Sequence, residues 1–421
     1  MKSFAVSSAL ALALVASGVS AAPASPEAVA AAALRAAPVW DGHNDVPEQI
    51  RARRNDMLAG FDFRDTTNTA DPARKFKPMQ TDLIRLRRGH VGAQFWSVYV
   101  DAGLSDTQAV QATIEQIDLT RRLIAMYPGE MQFVTTADEV AAAMRAGKIA
   151  SLMGMEGGHS IGNSLAVLRQ EYALGARYMT LAHFKNNAWA DSATDAPAHG
   201  GLTDFGKDVV REMQRIGMLV DLSHVAETTM MDALDVAKAP VIFSHSGAQA
   251  INGHARNVSD AVLDRVKPNG GIVMVNTYAT YVGPALRDWV ARQAGQKAYF
   301  EAFNRGNPAA AAAALTAWTA ANPAPPATIS EVADHIDHIV RRIGIDHVGI
   351  GGDFDGIELT TQGMDDVSTY PALFVELARR GYSQADLEKI ASGNMMRVLR
   401  AAEAYAAAHR SDPPIENPTT F

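Results

Sequence analysis

The chain has 421 residues, 48% of them hydrophobic and 20% charged, a globular composition that suits one large α/β domain or two smaller ones. A formal net charge of -8, with no block of basic residues, argues against a nucleic-acid partner. The absence of cysteine excludes disulfides and a lipid anchor on an N-terminal cysteine.

The first residues have the pattern of a secretory signal. Lys2 supplies a positive charge, an apolar run follows it, and small residues near position 21 fit a cleavage site. We therefore predict a signal peptide over 1–21, an Ala/Pro-rich lead over 22–37 and an exported protein, periplasmic in a Gram-negative source. The apolar run is too short for a membrane span, and no later stretch is suitable, so the mature chain is expected to contain no integral span.

Eight strand-like runs follow, separated by helix-like segments. They are rich in β-branched or aromatic residues, and several lack strict alternation, as strands buried on both faces do. The runs cover residues 38–45, 91–100, 149–156, 176–183, 218–224, 240–246, 271–276 and 347–353. Amphipathic segments between them, such as DFGKDVVREMQRIG, often close with glycine, a frequent helix stop. The alternation predicts the α/β class and a (β/α)8 TIM-like barrel over 38–405, with a doubly wound open sheet as the alternative.

One segment interrupts the alternation between the seventh and eighth predicted strands. It contains NPAAAAAALTAWTAANPAPPAT, an Ala-rich helical stretch followed by a Pro-rich connector. We predict an insertion over about 283–328. The chain ends in SDPPIENPTTF, so a polar, disordered tail is expected over 406–421.

Histidines and carboxylates recur at the carboxyl ends of the predicted strands. In a (β/α)8 barrel these ends meet at one rim, where the chemistry gathers. The residues are His43 and Asp45 on the first strand, Glu156 on the third, His183 on the fourth, His224 on the fifth, His245 on the sixth and Asp353 on the eighth. Histidines and carboxylates placed at random along the chain would not favour the same end of six strands. The pattern predicts a metal site, with His43 and Asp45 projecting to the same side of their strand.

Two other histidines provide a contrast. His335 and His338, in ADHIDHIV, share one face of a predicted helix and in principle could bind a metal. They lie in the middle of a crossover helix, away from the rim. We expect capping, ion pairing or solvent exposure for them instead.

A series of short motifs runs in order from Asp41 to about Leu399. They are DGHNDVP, GAQFWSVYV, EGGHSIGNS, LAHFKNNAWADS, VDLSHV, PVIFSHS with ARNVSD, GIVMVNTY, ADHIDHI, GIGGDFDG and GNMMRVL. Together they resemble the membrane (renal) dipeptidases, zinc peptidases on an amidohydrolase-like barrel. The resemblance implies hydrolysis of dipeptides that have a free C-terminal carboxylate and an L or D residue on the C-terminal side.

The resemblance also implies two Zn2+ ions per chain, for which Co2+ or Mn2+ could substitute. His43 and Asp45 match ligands of one ion, His224 and His245 match ligands of the other, and Glu156 matches a carboxylate that bridges both. In such a site the ions share a water and lower its pKa, and the bridging hydroxide attacks the peptide bond.

Four further positions match family residues that handle the substrate. Asp353 matches the group that takes the proton from the bridging water and delivers it to the leaving amine. His183 matches the histidine that hydrogen-bonds the carbonyl oxygen, and Arg256 matches the clamp for the free C-terminal carboxylate. Tyr278 falls where the family has a pocket tyrosine, although its sequence context is equally that of a core aromatic.

The sequence departs from the resemblance at Glu48, where an aromatic residue is expected, and in the insertion, so substrate preference is not carried over. A dipeptide is the expected ligand, and a homodimer is expected by analogy. One alternative is another metal-dependent hydrolase of the wider superfamily, such as a deaminase, lactonase or phosphoesterase. The other is an exported binding protein that has lost catalysis.

Overall fold

Eight parallel strands form a closed barrel, which confirms the predicted (β/α)8 fold and excludes the open sheet. The computed structural model describes Met1 and residues 24–416. Its strands are β1 (Val39–Asn44), β2 (Val91–Tyr99), β3 (Met131–Phe133), β4 (Ile149–Glu156), β5 (Ala176–Thr180), β6 (Leu219–Asp221), β7 (Ile242–Ser246), β8 (Ile272–Val275) and β9 (Val348–Ile350). Around the barrel the order is β2-β1-β9-β8-β7-β6-β5-β4, and pairing of β2 with β4 closes the circuit. The short β3, which was not predicted, pairs only with the start of β4.

Helices surround this barrel, and many begin at a polar side chain that caps the first turn. Thr328, for example, accepts a hydrogen bond from the backbone N–H of Glu331 at the start of α13. The helices are α1 (Pro26–Ala36), α2 (Val46–Arg54), α3 (Leu83–Arg88), α4 (Asp106–Met126), α5 (Ala137–Arg145), α6 (Leu165–Leu174), α7 (Asp204–Ile216), α8 (Glu227–Val236), α9 (Asp260–Asn269), α10 (Ala279–Val282), α11 (Pro284–Phe303), α12 (Pro308–Ala321), α13 (Ile329–Ile343), α14 (Tyr370–Arg379), α15 (Gln384–Glu388) and α16 (Asn394–Ala408). Among residues 24–416, no helix has both the length and the apolar character needed to cross a bilayer.

The barrel interior is filled by large side chains from several strands. Trp40, Phe95 and Tyr178 are fully buried there. Gly154 on β4 makes room for the ring of Tyr178, because a β-carbon at that position would overlap the ring. This packing matters for the rim, since the hydroxyl group of Tyr178 points to a histidine of the site described below.

Three of the predicted strands extend three residues too far at their carboxyl ends. The strands β5, β6 and β9 each end three residues before His183, His224 and Asp353, so these three side chains lie in loops above the barrel. His224 and Asp353 have φ angles of 68° and 62°. A positive φ does not continue a strand and is costly for a residue other than glycine, and such conformations gather at functional sites.

The segment between β8 and β9 contains a helical hairpin made of α11 and α12. The Ala-rich stretch forms α12, and its Trp318 packs on Trp289 of α11 with ring centroids 6.1 Å apart. Residues 323–327 have no regular structure, as the Pro-rich composition suggests. The insertion bounds of about 283–328 and the other domain bounds stay predictions.

Both ends of the chain extend past the described residues. The predicted signal peptide over 1–21 lies outside them except for its first residue, and within the predicted lead α1 packs against α14 and α15. At the other end, Arg169 donates to the carbonyl of Ile415 at 3.2 Å, and the N–H of Ile415 donates to Glu212 at 3.2 Å. These contacts correct the expectation of disorder for the described part of the tail, while residues 417–421 lie outside the described range.

Candidate active site

The carboxylate of Glu156, at the end of β4, lies at the centre of four imidazole rings. Its Oε1 atom is 3.0 Å from Nε2 of His224 and 3.4 Å from Nε2 of both His183 and His245. Its Oε2 atom is 3.4 Å from Nε2 of His43. All five side chains are buried. Four histidines, on separate strands or in the loops that directly follow them, therefore point their Nε2 atoms towards one carboxylate.

Two more carboxylates lie on the His43 side of this cluster. Asp45, which begins α2, places Oδ2 3.3 Å from Nε2 of His43. Possible metal-ligand atoms of His43, Asp45 and Asp353 all lie within 4.8 Å of one another. Two further sets meet the same limit, one made of His43, Glu156 and His245, the other of Glu156, His183 and His224.

The position of His245 is more central than the sequence indicates. The matched motifs pair it with His224, and the two Nε2 atoms are indeed 2.8 Å apart. The ring of His245 also lies beside that of His43, with centroids 3.9 Å apart. The ligand sets therefore overlap, and Glu156 belongs to two of them.

Hydrogen bonds to the outer ring nitrogens orient two of the histidines. Nδ1 of His43 is 2.7 Å from the hydroxyl of Tyr178, and Nδ1 of His245 is 2.8 Å from the hydroxyl of Ser244. Ser244 in turn donates to Asp221 at 2.7 Å. Because Nδ1 is engaged in each ring, Nε2 is left for the centre of the cluster. The sequence does not reveal these three partners, since they lie inside strands and their inward direction depends on register.

Several buried polar atoms of the cluster have no hydrogen-bond partner among the described residues. They are Nε2 of His43, Oδ1 of Asp45, and Nδ1 of His183 and His224. In addition, the Nε2 atoms of His224 and His245 face each other, and only one of the two can carry the proton of a hydrogen bond between them. Unpartnered buried groups are costly unless something else binds them. Imidazole nitrogens and carboxylate oxygens are suitable ligands for zinc and similar ions, so the residues present fit a metal centre.

The local charges also suit metal ligands. Burial, reinforced by neighbouring positive charge, lowers the pKa of His224 and His245 well below the ordinary value. Burial opposes ionisation of Glu156, but the charge of His43 and the other histidines holds its pKa well below the usual range. Neutral imidazole and ionised carboxylate are the forms that bind metals. The pKa of His43 is raised despite burial, by Tyr178 and the nearby carboxylates, so a cation binding there displaces a proton.

The same region concentrates negative charge. Burial raises the pKa of Asp353 well above its ordinary value, and the carboxylates of Asp45 and Glu156 raise it further. Burial, followed by the charge of Asp45, raises the pKa of Glu48 to about 8. Carboxylates packed this closely repel one another unless cations lie between them, which is a second reason why metal ions fit.

Arg256 is a fully buried guanidinium group in the loop after β7. Its only hydrogen bonds are long ones, from Nη2 to the carbonyl of His245 at 3.3 Å and from Nη1 to the hydroxyl of Ser246 at 3.5 Å, among the described residues. Its Nε atom has no partner. The guanidinium lies over the ring of Tyr281, 5.4 Å from the centroid. A buried cation without a carboxylate partner is costly, so this group is suited to an anionic ligand.

A cavity of about 280 Å³ opens above the cluster, which suits a small ligand better than a polypeptide. Apart from residues of the cluster, Gly356 and Ile357, the side chains that line it are aromatic or acidic: Glu48, Tyr99, Phe184, Tyr278, Tyr281 and Glu358. The predicted Tyr278 is half-buried in this wall, 4.7 Å from the ring of Tyr281. Tyr281 was missed, although its spacing of three residues from Tyr278 on a helical turn is a signal that could have found it.

The two histidines of α13 lie apart from the cluster. Nδ1 of His335 accepts a hydrogen bond from the N–H of Ala248 at 2.8 Å, and its Nε2 donates to the carbonyl of Val282 at 3.1 Å. The Nε2 atom of His338 is 2.6 Å from Oδ1 of Asp260. Both rings therefore attach α13 to neighbouring segments.

Comparison with known proteins identifies relatives along the chain. Residues 27–413 match the family model described as membrane dipeptidase, peptidase family M19. The chain is 42% identical to dipeptidase tcpJ of Claviceps purpurea (strain 20.1) over 384 residues, which are 89% of this chain and 79% of that protein.

Solved structures show the same fold. The probable dipeptidase PvdM from Pseudomonas aeruginosa is 24% identical, with a TM-score of 0.75 over 90% of this chain and 99% of that one. A metallo peptidase from Rhodobacter sphaeroides, solved with a phosphinate mimic of the dipeptide L-Ala-D-Ala, is 22% identical. Its TM-score is 0.70 over 87% of this chain and 99% of that one.

Proposed function

Because the chain belongs to the membrane dipeptidase family, peptidase family M19, and is a metallo-dipeptidase, we propose that it uses two zinc ions to hydrolyse dipeptides with a free C-terminal carboxylate. The observation that carries this proposal is the placement of Glu156. One of its oxygens faces His43 and the other faces His224. A carboxylate with ligands on both sides is suited to hold two cations close together while offsetting their repulsion.

In this proposal, His43 and Asp45 would hold one ion, His224 and His245 would hold the other, and Glu156 would serve both. The unpartnered Nε2 atom of His43 and Oδ1 atom of Asp45 support the first assignment. When bound, the ions would supply a water of lowered pKa and positive charge beside the scissile carbonyl. Zinc is favoured by the mixture of nitrogen and oxygen ligands, and Co2+ or Mn2+ would also be accepted.

Asp353 and His183 handle the proton and the carbonyl oxygen. Asp353 lies at the cavity wall beside His43 and Asp45, which places its carboxylate next to the proposed metal site. It accepts the proton of the attacking water and delivers it to the leaving amine. His183 lines the same cavity and donates a hydrogen bond to the carbonyl oxygen as negative charge develops.

Arg256 binds the free C-terminal carboxylate of the substrate. The support is its burial without an acidic partner, and its position against the ring of Tyr281, which lines the cavity together with Tyr278. A carboxylate clamp next to the reacting centre leaves room for only one residue beyond the scissile bond, which favours dipeptides. The Rhodobacter sphaeroides relative bound to a mimic of L-Ala-D-Ala supports acceptance of a D residue on the C-terminal side.

Arg256→Ala tests the proposed function, because it removes the carboxylate clamp and leaves the metal ligands in place. We expect a higher KM and a loss of about 100-fold in kcat/KM for free dipeptides, the scale of a buried charge-assisted contact. Wild-type enzyme should also prefer a dipeptide over its C-terminal amide, and the variant should lose that preference.

The surface change Arg265→Ala, which breaks an exposed pair with Asp235, is the matched control. Unchanged kcat/KM in Arg256→Ala would remove the clamp assignment, and hydrolysis of amides as fast as free dipeptides would favour another hydrolase.

Export to the periplasm is also part of the proposal. Its support is the sequence pattern of residues 1–21, which lie outside the described range apart from Met1. Release of the dipeptidase activity with the periplasmic fraction of the source cells would agree with this location. The homodimer stays a prediction that sedimentation velocity can test.

A further inference from the structure

We propose that Glu48 makes the enzyme selective for dipeptides whose N-terminal residue has a cationic side chain, such as lysine, ornithine or arginine. This inference rests on the proposed dipeptidase function and specifies its substrate class. None of the roles described above, in metal binding, proton transfer or carboxylate binding, uses this side chain.

Glu48 occupies a distinctive place at the rim. It lies in the first turn of α2, three residues after Asp45, and is partly buried. Its side chain lines the cavity above the metal cluster. It also lines two adjoining grooves, one shared with Tyr99 and Asp101 and one shared with Lys77. Glu48 therefore lies at the junction of the cavity and the two grooves.

The Glu48 carboxylate has no hydrogen-bond or ion-pair partner among the described residues. The two arginines closest to it along α2 are engaged elsewhere. Arg51 donates to the carbonyl of Ala112 and to Glu115, both at 2.9 Å. Arg53 donates to Gln49 at 2.7 Å and to the carbonyl of Thr69 at 2.8 Å. Burial and the charge of Asp45 raise the pKa of Glu48 to about 8, and a cation beside the group favours its ionised form. A partly buried carboxyl group that no cation of the protein compensates is therefore suited to a cation of the ligand.

The direction of the substrate decides which cation reaches Glu48. Arg256 follows β7 and Glu48 follows β1, and β8 and β9 lie between these strands on the rim. With the C-terminal carboxylate at Arg256, the N-terminal residue extends towards Glu48. The α-ammonium group is attached next to the scissile carbonyl, so it stays near Asp45 and Asp353.

A lysine side chain places its ammonium group four methylenes further out. That distance carries it from the metal cluster towards the junction of the grooves, where Glu48 lies. Tyr99 lines both the cavity and the adjoining groove, so its ring can cover the methylenes of such a side chain. A neutral or acidic side chain would leave Glu48 without a partner.

The test compares L-Lys-L-Ala with L-norleucyl-L-Ala, which has the same chain length without the ammonium group. For the wild-type enzyme we expect kcat/KM to be about tenfold higher for the lysyl dipeptide, as for one partly exposed charge pair. Glu48→Gln should reduce this ratio to below about threefold, since the charge is removed and the shape is kept. The control Glu115→Gln should keep the wild-type ratio, because that carboxylate pairs with Arg51 in the outer groove.

A wild-type ratio near one, or a ratio that Glu48→Gln does not change, would overturn the inference. An equal loss for both dipeptides in Glu48→Gln would also overturn it, because it would assign Glu48 to the α-ammonium group or to structure. If the wild-type enzyme hydrolyses neither dipeptide, the proposed function itself fails. In that case, calorimetric binding of the two dipeptides to the zinc-loaded wild type and Glu48→Gln decides separately whether Glu48 selects the cation.

Discussion

Asp353→Asn should lower kcat for dipeptide hydrolysis by about 10²- to 10⁴-fold, the usual contribution of a positioned acid–base group, while the bound metal is retained. Asparagine has nearly the same shape as aspartate but cannot accept the proton of the attacking water or return one to the leaving amine. Asp353 is not among the assigned metal ligands, so the metal content should not fall. Steady-state kinetics and elemental analysis of the same preparation measure both quantities.

The control for this prediction is Asp355→Asn, two residues further along the same loop. Asp355 is also buried, and its carboxylate accepts a hydrogen bond from the N–H of Gln80 at 2.8 Å. We expect this variant to affect stability much more than kcat. Full activity in Asp353→Asn would contradict the proton-transfer role, and loss of metal together with activity would indicate that Asp353 acts as a ligand.

Glu156→Gln should reduce both the metal content and the activity. Its carboxylate is the only acidic group whose oxygens face both His43 and His224 among the described residues. An amide removes the negative charge and offers one acceptor oxygen, leaving the surrounding imidazoles and cations uncompensated. We expect fewer than two ions per chain after dialysis against metal-free buffer, and a loss of activity of about 10³-fold or more, as for breaking a buried charge network.

Glu171→Gln is the matched control for Glu156→Gln. Glu171 is buried in α6, both of its carboxyl oxygens lack partners within the described part of the chain, and burial raises its pKa to about 9. It is therefore protonated at neutral pH, and the amide replaces a neutral group of the same shape. Metal content and activity should stay at wild-type values. If Glu156→Gln retained two ions and full activity, the bridging role would be wrong.

The barrel and the position of the rim could be predicted because they follow from short-range patterns. Buried parallel strands have continuous apolar runs, and their carboxyl ends meet on one side of the barrel. His43, Asp45 and Glu156 lie on or directly after such runs, so the sequence indicates that they come together. The ordered motifs then predict the family, which the comparisons confirm.

Other features depend on three-dimensional packing that the sequence does not display. Tyr178 contacts His43 across 135 positions of sequence separation, and only the register of β5 in the barrel directs its hydroxyl group there. The strands β6 and β9 end three residues before His224 and Asp353, and the positive φ angles of these two residues are set by the loops around them. Ile415 is held by contacts with Arg169 and Glu212, and composition alone suggests a free tail.

Anomalous diffraction from crystals of the zinc-loaded protein, measured on either side of the zinc absorption edge, shows directly whether two zinc ions share Glu156. We expect two zinc peaks per chain on either side of the Glu156 carboxylate, one beside His43 and Asp45 and the other beside His224 and His245. A single peak, or a pair of peaks of which either is out of reach of the Glu156 carboxylate, would contradict this expectation.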